Sequence, residues 1–203
     1  MQAAAGGYAA LPLPQEPPMS ETAAAAPWRD LQLHLDGIVL RRWRAEDLDA
    51  LVRHADDAQV ARGLSRRFPH PYTRADGEAF LGGQVIDLND PVLAIEIGGE
   101  ACGGIGLHAA AQPAPERAEL GYWLGRAHWG QGRMTRIVAA YLDWAVPALR
   151  LQRIESLTLP DNHGSARVLQ KNGFVEIGTR RELSLRDGQP RDLRLFARTR
   201  AAA

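Results

Sequence analysis

The segment that decides the fold is residues 128–135, which read His128-Trp129-Gly130-Gln131-Gly132-Arg133-Met134-Thr135. The residues before it, 118–124, read as a strand. The residues after it include apolar side chains at helical spacing, namely Ile137, Val138, Tyr141, Leu142, Ala145 and Leu149. The pattern therefore predicts a strand, a glycine-rich turn and an amphipathic helix in direct succession.

This succession is typical of a site that holds an anion on main-chain N–H groups. The first-turn amides of a helix lack partners within the helix and lie at the positive end of its dipole. The two glycines, Gly130 and Gly132, allow a phosphate to approach the backbone closely. The turn thus predicts a phosphorylated cofactor. The alternative is a tight strand-to-helix connection that binds no ligand.

Two common phosphate-binding motifs do not fit this turn. A nucleotide-hydrolysing P-loop needs a lysine and then serine or threonine after the glycine, whereas Arg133 and Met134 follow Gly132. A dinucleotide-binding motif needs a third glycine where Thr135 stands, and an acidic residue about 20 positions further on. The best candidate, Asp161, is too far downstream. Both motifs are therefore excluded.

The composition is that of one ordinary globular domain. Of 203 residues, 45% are hydrophobic, and 24 basic residues balance 24 acidic ones. This balance creates no field that would attract nucleic acid or a membrane surface, and no apolar run approaches the roughly 20 residues of a membrane span. The single cysteine, Cys102, is consistent with a reducing compartment. We predict a cytoplasmic protein that binds neither nucleic acid nor membrane.

The chain divides into a tail and a domain. Residues 1–30 are rich in alanine and proline, with no basic residue before Arg29, and we predict a flexible tail that is not a secretory signal. Residues 31–200 show the pattern of a mixed α/β domain with about seven strands and about four helices. Strands are predicted at 31–42, 91–97, 101–108, 117–124, 153–159, 175–185 and 192–199. Helices are predicted from about residue 45, over 74–86, from the glycine turn to 149, and over 162–172.

Three segments resemble the GNAT superfamily of acyl-CoA-dependent N-acyltransferases. They are similar to its fourth strand, its pyrophosphate loop and the following helix, and they read Glu119-Leu120-Gly121-Tyr122-Trp123-Leu124, Trp129-Gly130-Gln131-Gly132-Arg133-Met134-Thr135 and Asn162-His163-Gly164-Ser165-Ala166-Arg167-Val168-Leu169-Gln170-Lys171-Asn172-Gly173-Phe174. The tryptophan-glycine turn and the Asn-x-x-Ser…Gly-Phe ending resemble the RimJ/RimL-type branch, which acetylates α-amino groups of ribosomal proteins. The resemblance covers residues 31–200 and implies a GNAT fold, with a central, mixed, mostly antiparallel twisted sheet.

The resemblance also implies a cosubstrate, acetyl-CoA, and residues that hold it. The pantetheine arm is expected to pair, like an extra strand, with the backbones of Trp123 and Leu124. Gly121, inside that strand, is typical of a bulge that opens the sheet. Asn162 is expected to contact the cofactor or to cap its helix. The pyrophosphate is expected on the backbone amides of Gln131, Gly132, Arg133, Met134 and Thr135.

Acyl transfer needs a neutral amine and a stabilised thiolate. An alkyl ammonium with a pKa of about 10 must lose a proton, and Glu119 is the candidate general base, acting directly or through water. The alternative for Glu119 is a strand glutamate paired with an arginine. Ser165 matches the family's serine and is expected to donate a hydrogen bond to the departing sulfur, unless it satisfies local amides of its helix. Leu169 stands where the family often has a tyrosine that serves as the general acid. Tyr122 is a weaker candidate for this role.

Several properties stay open at this stage. The six histidines show no paired ligand spacing, so we predict no metal. The predicted reaction is direct transfer of an acetyl group to a primary amine, on a protein N-terminus or a small molecule, by a monomer or homodimer. The alternatives are another donor such as succinyl-CoA, and a non-catalytic acyl-CoA-binding or regulatory module. Met134 and Leu169 favour the latter, because the family has a small residue and a tyrosine there. The loop at 66–72 is expected to border the acceptor groove.

Overall fold

The structure, a computed structural model, describes residues 28, 30–64, 68–109, 116–183 and 190–199. In these ranges the chain forms one sheet of eight strands and five α-helices. The strands are β1 Gln32–Leu35, β2 Ile38–Arg42, β3 Val92–Ile97, β4 Glu100–Ala109, β5 Arg117–Leu124, β6 Arg153–Thr158, β7 Val175–Leu183 and β8 Pro190–Thr199. The helices are α1 Leu48–Ala55, α2 Ala58–Arg62, α3 Arg74–Leu81, α4 Arg133–Ala148 and α5 His163–Lys171.

The strands lie in the order β1-β2-β3-β4-β5-β6-β8-β7. Every pairing is antiparallel except that of β5 with β6. The helix α4 forms the crossover between these two parallel strands, since a parallel pair needs a long connection. The predicted mixed, mostly antiparallel sheet is therefore confirmed.

The segment predicted as a first strand, 31–42, is a hairpin of two strands. Gly37 has a φ of +67° and reverses the chain, so that Leu35 lies opposite Ile38. Glycine adopts this left-handed conformation without steric cost. The prediction of one strand is wrong because the chain reverses at this turn, where the inward side chains change from positions 33 and 35 to positions 38 and 40.

Two helices in the first half also differ from the prediction. The short helix α2 was not predicted, and the side chain of Asp57 caps it by accepting hydrogen bonds from two backbone N–H groups at 2.7 and 3.2 Å. The helix predicted over 74–86 ends at Leu81. Two glycines follow, and Gly83 has a φ of +74°, a conformation that commonly ends helices.

The sheet separates two apolar clusters. The larger one joins α4 and α5 to the central strands through fully buried residues such as Ile137, Tyr141 and Leu169. Each such side chain contributes about 1.5–3 kcal/mol by its burial. The smaller cluster joins α1 to β3 and β4. Because side chains alternate along a strand, Leu124 belongs to the larger cluster and its neighbour Trp123 contacts the smaller one.

Some predictions fall outside the described ranges. They concern residues 1–27 of the tail, the turn at 186–189, and Arg66 and Arg67 of the loop expected beside the acceptor groove. The tail therefore stays a prediction. None of the helices in the part of the chain that the structure describes has both the length and the apolar content needed to cross a bilayer.

Candidate functional site

The glycine turn leads directly into α4, as predicted. Gly130 and Gly132 have φ values of +75° and +69°, which L side chains rarely adopt. A Cβ at either position would meet nothing within 4 Å among the described residues beyond its chain neighbours. Backbone conformation, and not crowding, thus requires glycine here. Gly132 is the N-cap of α4 and has no side chain to accept a hydrogen bond, so the first-turn N–H groups are left to an external acceptor.

The parallel strands β5 and β6 diverge just before this turn. They pair from Arg117 opposite Arg153 to Glu119 opposite Glu155, and no further. At the branch point the hydroxyl of Ser156 donates a hydrogen bond to the carbonyl of Leu120 at 2.9 Å. We call this opening the fork, defined by residues 120–124 of β5 and 156–158 of β6. An open strand edge of this kind can accept an extended ligand by main-chain hydrogen bonding.

The sheet opens beside Gly121, as predicted, but the predicted bulge is absent from the pairing of β5 with β4. The pairing of β5 with β4 is continuous, with Gly106 opposite Gly121, and the edge that opens is the one toward β6. A Cβ at Gly121 would make ordinary van der Waals contact with the ring of His108 at 3.8 Å, so packing does not require glycine at this position.

Two hydroxyl groups connect β5 at the fork to the helix α5. The Tyr122 hydroxyl lies 2.8 Å from Ser165 Oγ, and Ser165 is in the first turn of α5, the helix that follows β6. Burial raises the pKa of Tyr122 to about 12, so the phenol keeps its proton at neutral pH. The side chain of Asn162 accepts a hydrogen bond from the Ser165 N–H at 3.0 Å and caps α5. Ser165 Oγ is therefore engaged by a tyrosine, while Asn162 satisfies the helix amide.

Glu119 is paired with an arginine. A guanidinium nitrogen of Arg180, on β7, donates to Glu119 Oε2 at 2.8 Å, and the two side chains are 23% and 29% exposed, respectively. Glu119 lies opposite His108 on β4 and opposite Glu155 on β6. Glu119 is therefore paired with an arginine, as its alternative role in the strand predicts. Its role as a general base stays a prediction.

Other predicted cofactor residues lie along the fork and the turn. Leu124 is buried, and its carbonyl accepts a hydrogen bond from the indole N–H of Trp129 at 2.6 Å. Trp123 contacts Phe68 edge-on, with ring centroids 5.1 Å apart. Gln131 is exposed, and its side-chain amide donates a hydrogen bond to the carbonyl of Ala127 at 3.3 Å.

Side chains in the first turn of α4 face the protein. Arg133 contacts His128 Nδ1 at 2.6 Å. Met134 is half-buried and packs against the larger apolar cluster. The Thr135 carbonyl accepts a hydrogen bond from Asn172 at 3.2 Å. Met134 thus departs from the small residue of the family, but its bulk is accommodated by the core.

Aromatic side chains lie on the same face of β5 as Glu119. Phe68 and Tyr72 have ring centroids 5.0 Å apart, and Phe68 also contacts Trp123, which shares a strand face with Glu119. Phe68 and Tyr72 belong to the loop predicted to border the acceptor groove. That loop therefore contacts the strand that carries the candidate base.

Two features of the site are not evident from the spacing of residues in the sequence. Tyr122, the weaker candidate for the general acid, points in the opposite direction to Trp123 along the strand and so toward α5, where it contacts Ser165. His54, Cys102 and His128 lie far apart in the sequence, and the fold brings them together. Leu169 is fully buried in the larger apolar cluster, so this position supplies no hydroxyl group that could act as the general acid.

Comparisons with known proteins agree on one family. A family profile described as acetyltransferase (GNAT) domain matches residues 38–175. "Uncharacterized N-acetyltransferase p20" of Bacillus licheniformis is 28% identical over 171 residues, covering 81% of this chain and 94% of the relative. "Probable N-acetyltransferase YjcK" of Bacillus subtilis is 41% identical over 128 residues, covering 63% and 66%. The structure of Mycobacterium smegmatis RimJ in complex with CoA-disulfide superimposes with a TM-score of 0.68 at 27% identity, covering 80% of this chain and 81% of that one.

Proposed function

The chain belongs to the GNAT acetyltransferase family, and on that premise we propose that it transfers an acetyl group from acetyl-CoA to a primary amine. Its fold is the GNAT fold, and its similarity to the RimJ/RimL-type branch is the one that the sequence predicted. One observation carries the proposal. The fork opens beside a glycine turn, and the first-turn amides of α4 have no side-chain cap because the N-cap residue is Gly132. An extended thioester arm and a pyrophosphate fit these two adjacent features.

The proposed cofactor contacts follow from this geometry. The backbone amides of residues 131–135 are the proposed pyrophosphate site, and the backbones of Trp123 and Leu124, along the fork, are the proposed pantetheine site. Support comes from Gly130 and Gly132, whose left-handed conformation favours glycine and whose lack of a side chain allows an anion to approach the backbone.

The proposed reaction is a direct attack. The ammonium first releases one proton, which Glu119 or a water bound to it accepts. The amine nitrogen then forms a bond to the thioester carbon, and the carbon–sulfur bond breaks. The nitrogen loses its second proton and the sulfur gains one, so that the products are an amide, free CoA and one proton. No covalent enzyme intermediate is needed, and positioning of the two reactants supplies much of the rate.

Ser165 is the proposed hydrogen-bond donor to the departing sulfur. The hydroxyl of Tyr122 lies 2.8 Å from Ser165 Oγ and 3.3 Å from the Ser165 carbonyl. It is the proposed donor to Oγ, which leaves the serine's own hydrogen available to the sulfur. A raised pKa keeps Tyr122 protonated for this role. The pair therefore takes the place of the tyrosine that the family often has at the position of Leu169.

The acceptor that we propose first is the α-amino group of a protein N-terminus. Support comes from the similarity to RimJ. Small-molecule amines are the other acceptors within the same reaction class.

The test is an assay of thiol release from acetyl-CoA with an amine panel of N-terminal peptides, lysine peptides, polyamines and free amino acids. Turnover confined to N-terminal peptides would support both parts of the proposal. Turnover confined to small amines would overturn the acceptor and keep the reaction. Replacing acetyl-CoA by succinyl-CoA tests the donor in the same assay.

The alternative from another class is a non-catalytic acyl-CoA-binding module. The Glu119–Arg180 ion pair favours it, because the candidate base is already held by a cation. Tight CoA binding by calorimetry, with no thiol release above the uncatalysed rate for any amine, would establish this alternative and overturn the proposed activity.

A further inference from the structure

Three potential metal ligands from distant parts of the chain converge beside the glycine turn. They are His54 near the end of α1, Cys102 on β4 and His128 immediately before the turn. One ligand atom from each residue lies within 4.8 Å of those from the other two. The rings of His54 and His128 have centroids 5.5 Å apart. The group is distinct from the residues to which the proposed acyl transfer assigns roles.

The fold aims these side chains at one another. A register shift between β3 and β4 leaves Cys102 as the extra residue of a β-bulge, a device that redirects a side chain. The ring of His54 packs so closely on Gly125 that a Cβ there would lie 2.7 Å from His54 Nδ1. The Gly125 N–H in turn donates to the carbonyl of Cys102 at 2.7 Å. Gly125 thus holds α1 and β4 against the start of the turn that carries His128.

One ligand atom in this group has only a long ion-pair contact and no well-formed hydrogen bond in the described part of the chain. His54 Nε2 is buried and has no hydrogen-bond partner within the described ranges of the chain. The nearby carboxylate of Glu100 is 3.5 Å from it. Leaving a buried polar atom unpaired costs about 1–3 kcal/mol. An additional ligand at this position would therefore stabilise the folded protein.

We propose that His54, Cys102 and His128 bind a zinc ion, with the carboxylate of Glu100 as the fourth ligand. Imidazole nitrogen, thiolate sulfur and carboxylate oxygen are the ligands that Zn²⁺ takes in tetrahedral sites. Bonds of about 2.0–2.3 Å place such ligand atoms about 3.3–3.6 Å apart. The ligand atoms of His54, Cys102 and His128 are now up to 4.8 Å apart and have to move closer by side-chain rotation. The exposed carboxylate of Glu100, 3.5 Å from His54 Nε2, has to turn toward the other two. On binding, the Cys102 thiol releases its proton to solvent and a zinc–sulfur bond forms.

Two arginines contact the proposed ligands and compete with the zinc ion for them. Arg133 contacts His128 Nδ1 at 2.6 Å, so zinc has to replace it there or use the other ring nitrogen. Arg53 donates a hydrogen bond to the Glu100 carboxylate at 2.7 Å, and this bond has to break when Glu100 binds zinc. Mg²⁺ and Ca²⁺ prefer all-oxygen sites, whereas a thiolate with two imidazoles suits Zn²⁺. The ligand set therefore selects a transition metal over the abundant hard cations.

The first test is a metal titration of the full chain after treatment with a chelator. Co²⁺ serves as a coloured probe, because a cobalt–thiolate bond absorbs in the near ultraviolet. We expect one equivalent of Co²⁺ to produce this band, Zn²⁺ to abolish it, and Cys102→Ser to lack it. His54→Asn and His128→Asn should weaken Zn²⁺ binding by more than about tenfold. His34→Asn, which changes an exposed residue of β1, is the matched control and should bind normally.

Binding that survives Cys102→Ser, or that His34→Asn weakens as much as His54→Asn does, would overturn the proposal and indicate adventitious surface binding. A second measurement covers a serine variant that fails to fold. Cys102 is the single cysteine of the chain, so modification of the wild-type protein by a thiol reagent reports on this site alone. We expect one equivalent of Zn²⁺ to slow that reaction by about tenfold or more, and Mg²⁺ to leave it unchanged. Equal rates with and without Zn²⁺ would also overturn the proposal.

Discussion

Tyr122 illustrates, at the scale of one residue, how a site contact becomes a measurable property of the whole protein. Its pKa is raised from 10.0 to about 12, chiefly by loss of solvent around the phenol. The unfolded chain ionises this phenol near its ordinary pKa. Between pH 10 and about 12 the folded protein therefore holds a proton that the unfolded chain has released. The contribution to stability is complete below that interval and is lost as pH rises through it.

As pH rises through this alkaline interval, the free energy of unfolding declines. We expect this decline to be about 2–3 kcal/mol smaller in Tyr122→Phe than in the wild type. Tyr72 and Tyr141 also have raised pKa values, so the quantity to compare is the difference between the variant and the wild type. Urea unfolding followed by tryptophan fluorescence at a series of pH values supplies it. An identical decline in both proteins would show that the Tyr122 phenol is solvated.

Glu119 has a matched control in its neighbour on the adjacent parallel strand. Glu119 contacts Arg180 at 2.8 Å, and Glu155, which lies opposite it, contacts Arg153 at the same distance. We expect Glu119→Gln to lower kcat by about 100-fold, because a general base is lost, with unchanged CoA affinity. Glu155→Gln should keep kcat within about twofold, since the same change at the neighbouring position removes a comparable ion pair from a residue to which the proposed reaction gives no role.

Steady-state kinetics as a function of pH, with calorimetry for CoA binding, would separate these outcomes. Loss of the acidic limb of the pH–rate profile in Glu119→Gln alone identifies a base. An equal loss of kcat in both variants would instead assign the effect to sheet stability, and unchanged kinetics in Glu119→Gln would remove this residue from the mechanism.

At the scale of the element, the glycine turn depends on backbone conformation. We expect Gly132→Ala to cost about 1–2 kcal/mol of stability, because alanine is strained at a φ of +69°. It should also weaken acetyl-CoA binding by about tenfold, or about 1.4 kcal/mol, since the strain moves the amides that face the pyrophosphate. Gly98→Ala, in the hairpin of β3 and β4 with a φ of +63°, should lose similar stability with normal affinity. Thermal unfolding and calorimetry on both variants check this, and equal losses of affinity would contradict it.

The long elements could be predicted from the sequence, while the short ones could not. The helix α4 and the strand β5 have strong periodicity over many residues, and α5 carries both its Asn162 cap and the closing Gly173, whose φ is +78°. The helix α2 has five residues and depends on one Asp57 cap, a signal too local to separate from a turn. The hairpin of β1 and β2 is predicted as one strand because each half alternates, although the inward side chains change from odd positions (33 and 35) to even positions (38 and 40) across the turn.

At the scale of the molecule, the site joins residues that sequence spacing does not relate. The motif predicted Ser165 and Asn162, because they sit within one helix turn of each other. Arg180 reaches Glu119 from β7, and the cluster of His54, Cys102 and His128 depends on a bulge and on packing between helix and sheet. Such contacts arise from the fold as a whole, so the spacing of the histidines could exclude a local metal motif but not this arrangement.

The two parts of the sheet, β1 to β5 and β6 to β8, meet across a short parallel ladder, and Ser156 braces it where it ends. Its buried hydroxyl donates to Leu120 across the fork at 2.9 Å. We expect Ser156→Ala to cost about 1 kcal/mol and to raise the KM for acetyl-CoA severalfold, because the fork loses its fixed width.

Thr158→Ala is the control. The Thr158 hydroxyl is on the same strand, but it donates to the adjacent carbonyl of Leu159 at 2.8 Å and not across the fork. It should lose comparable stability with an unchanged KM. Hydrogen exchange adds a direct readout, in which Ser156→Ala should speed exchange of the amides at 120–124 and Thr158→Ala should not; equal exchange in the two variants would show that the fork is held by backbone pairing alone.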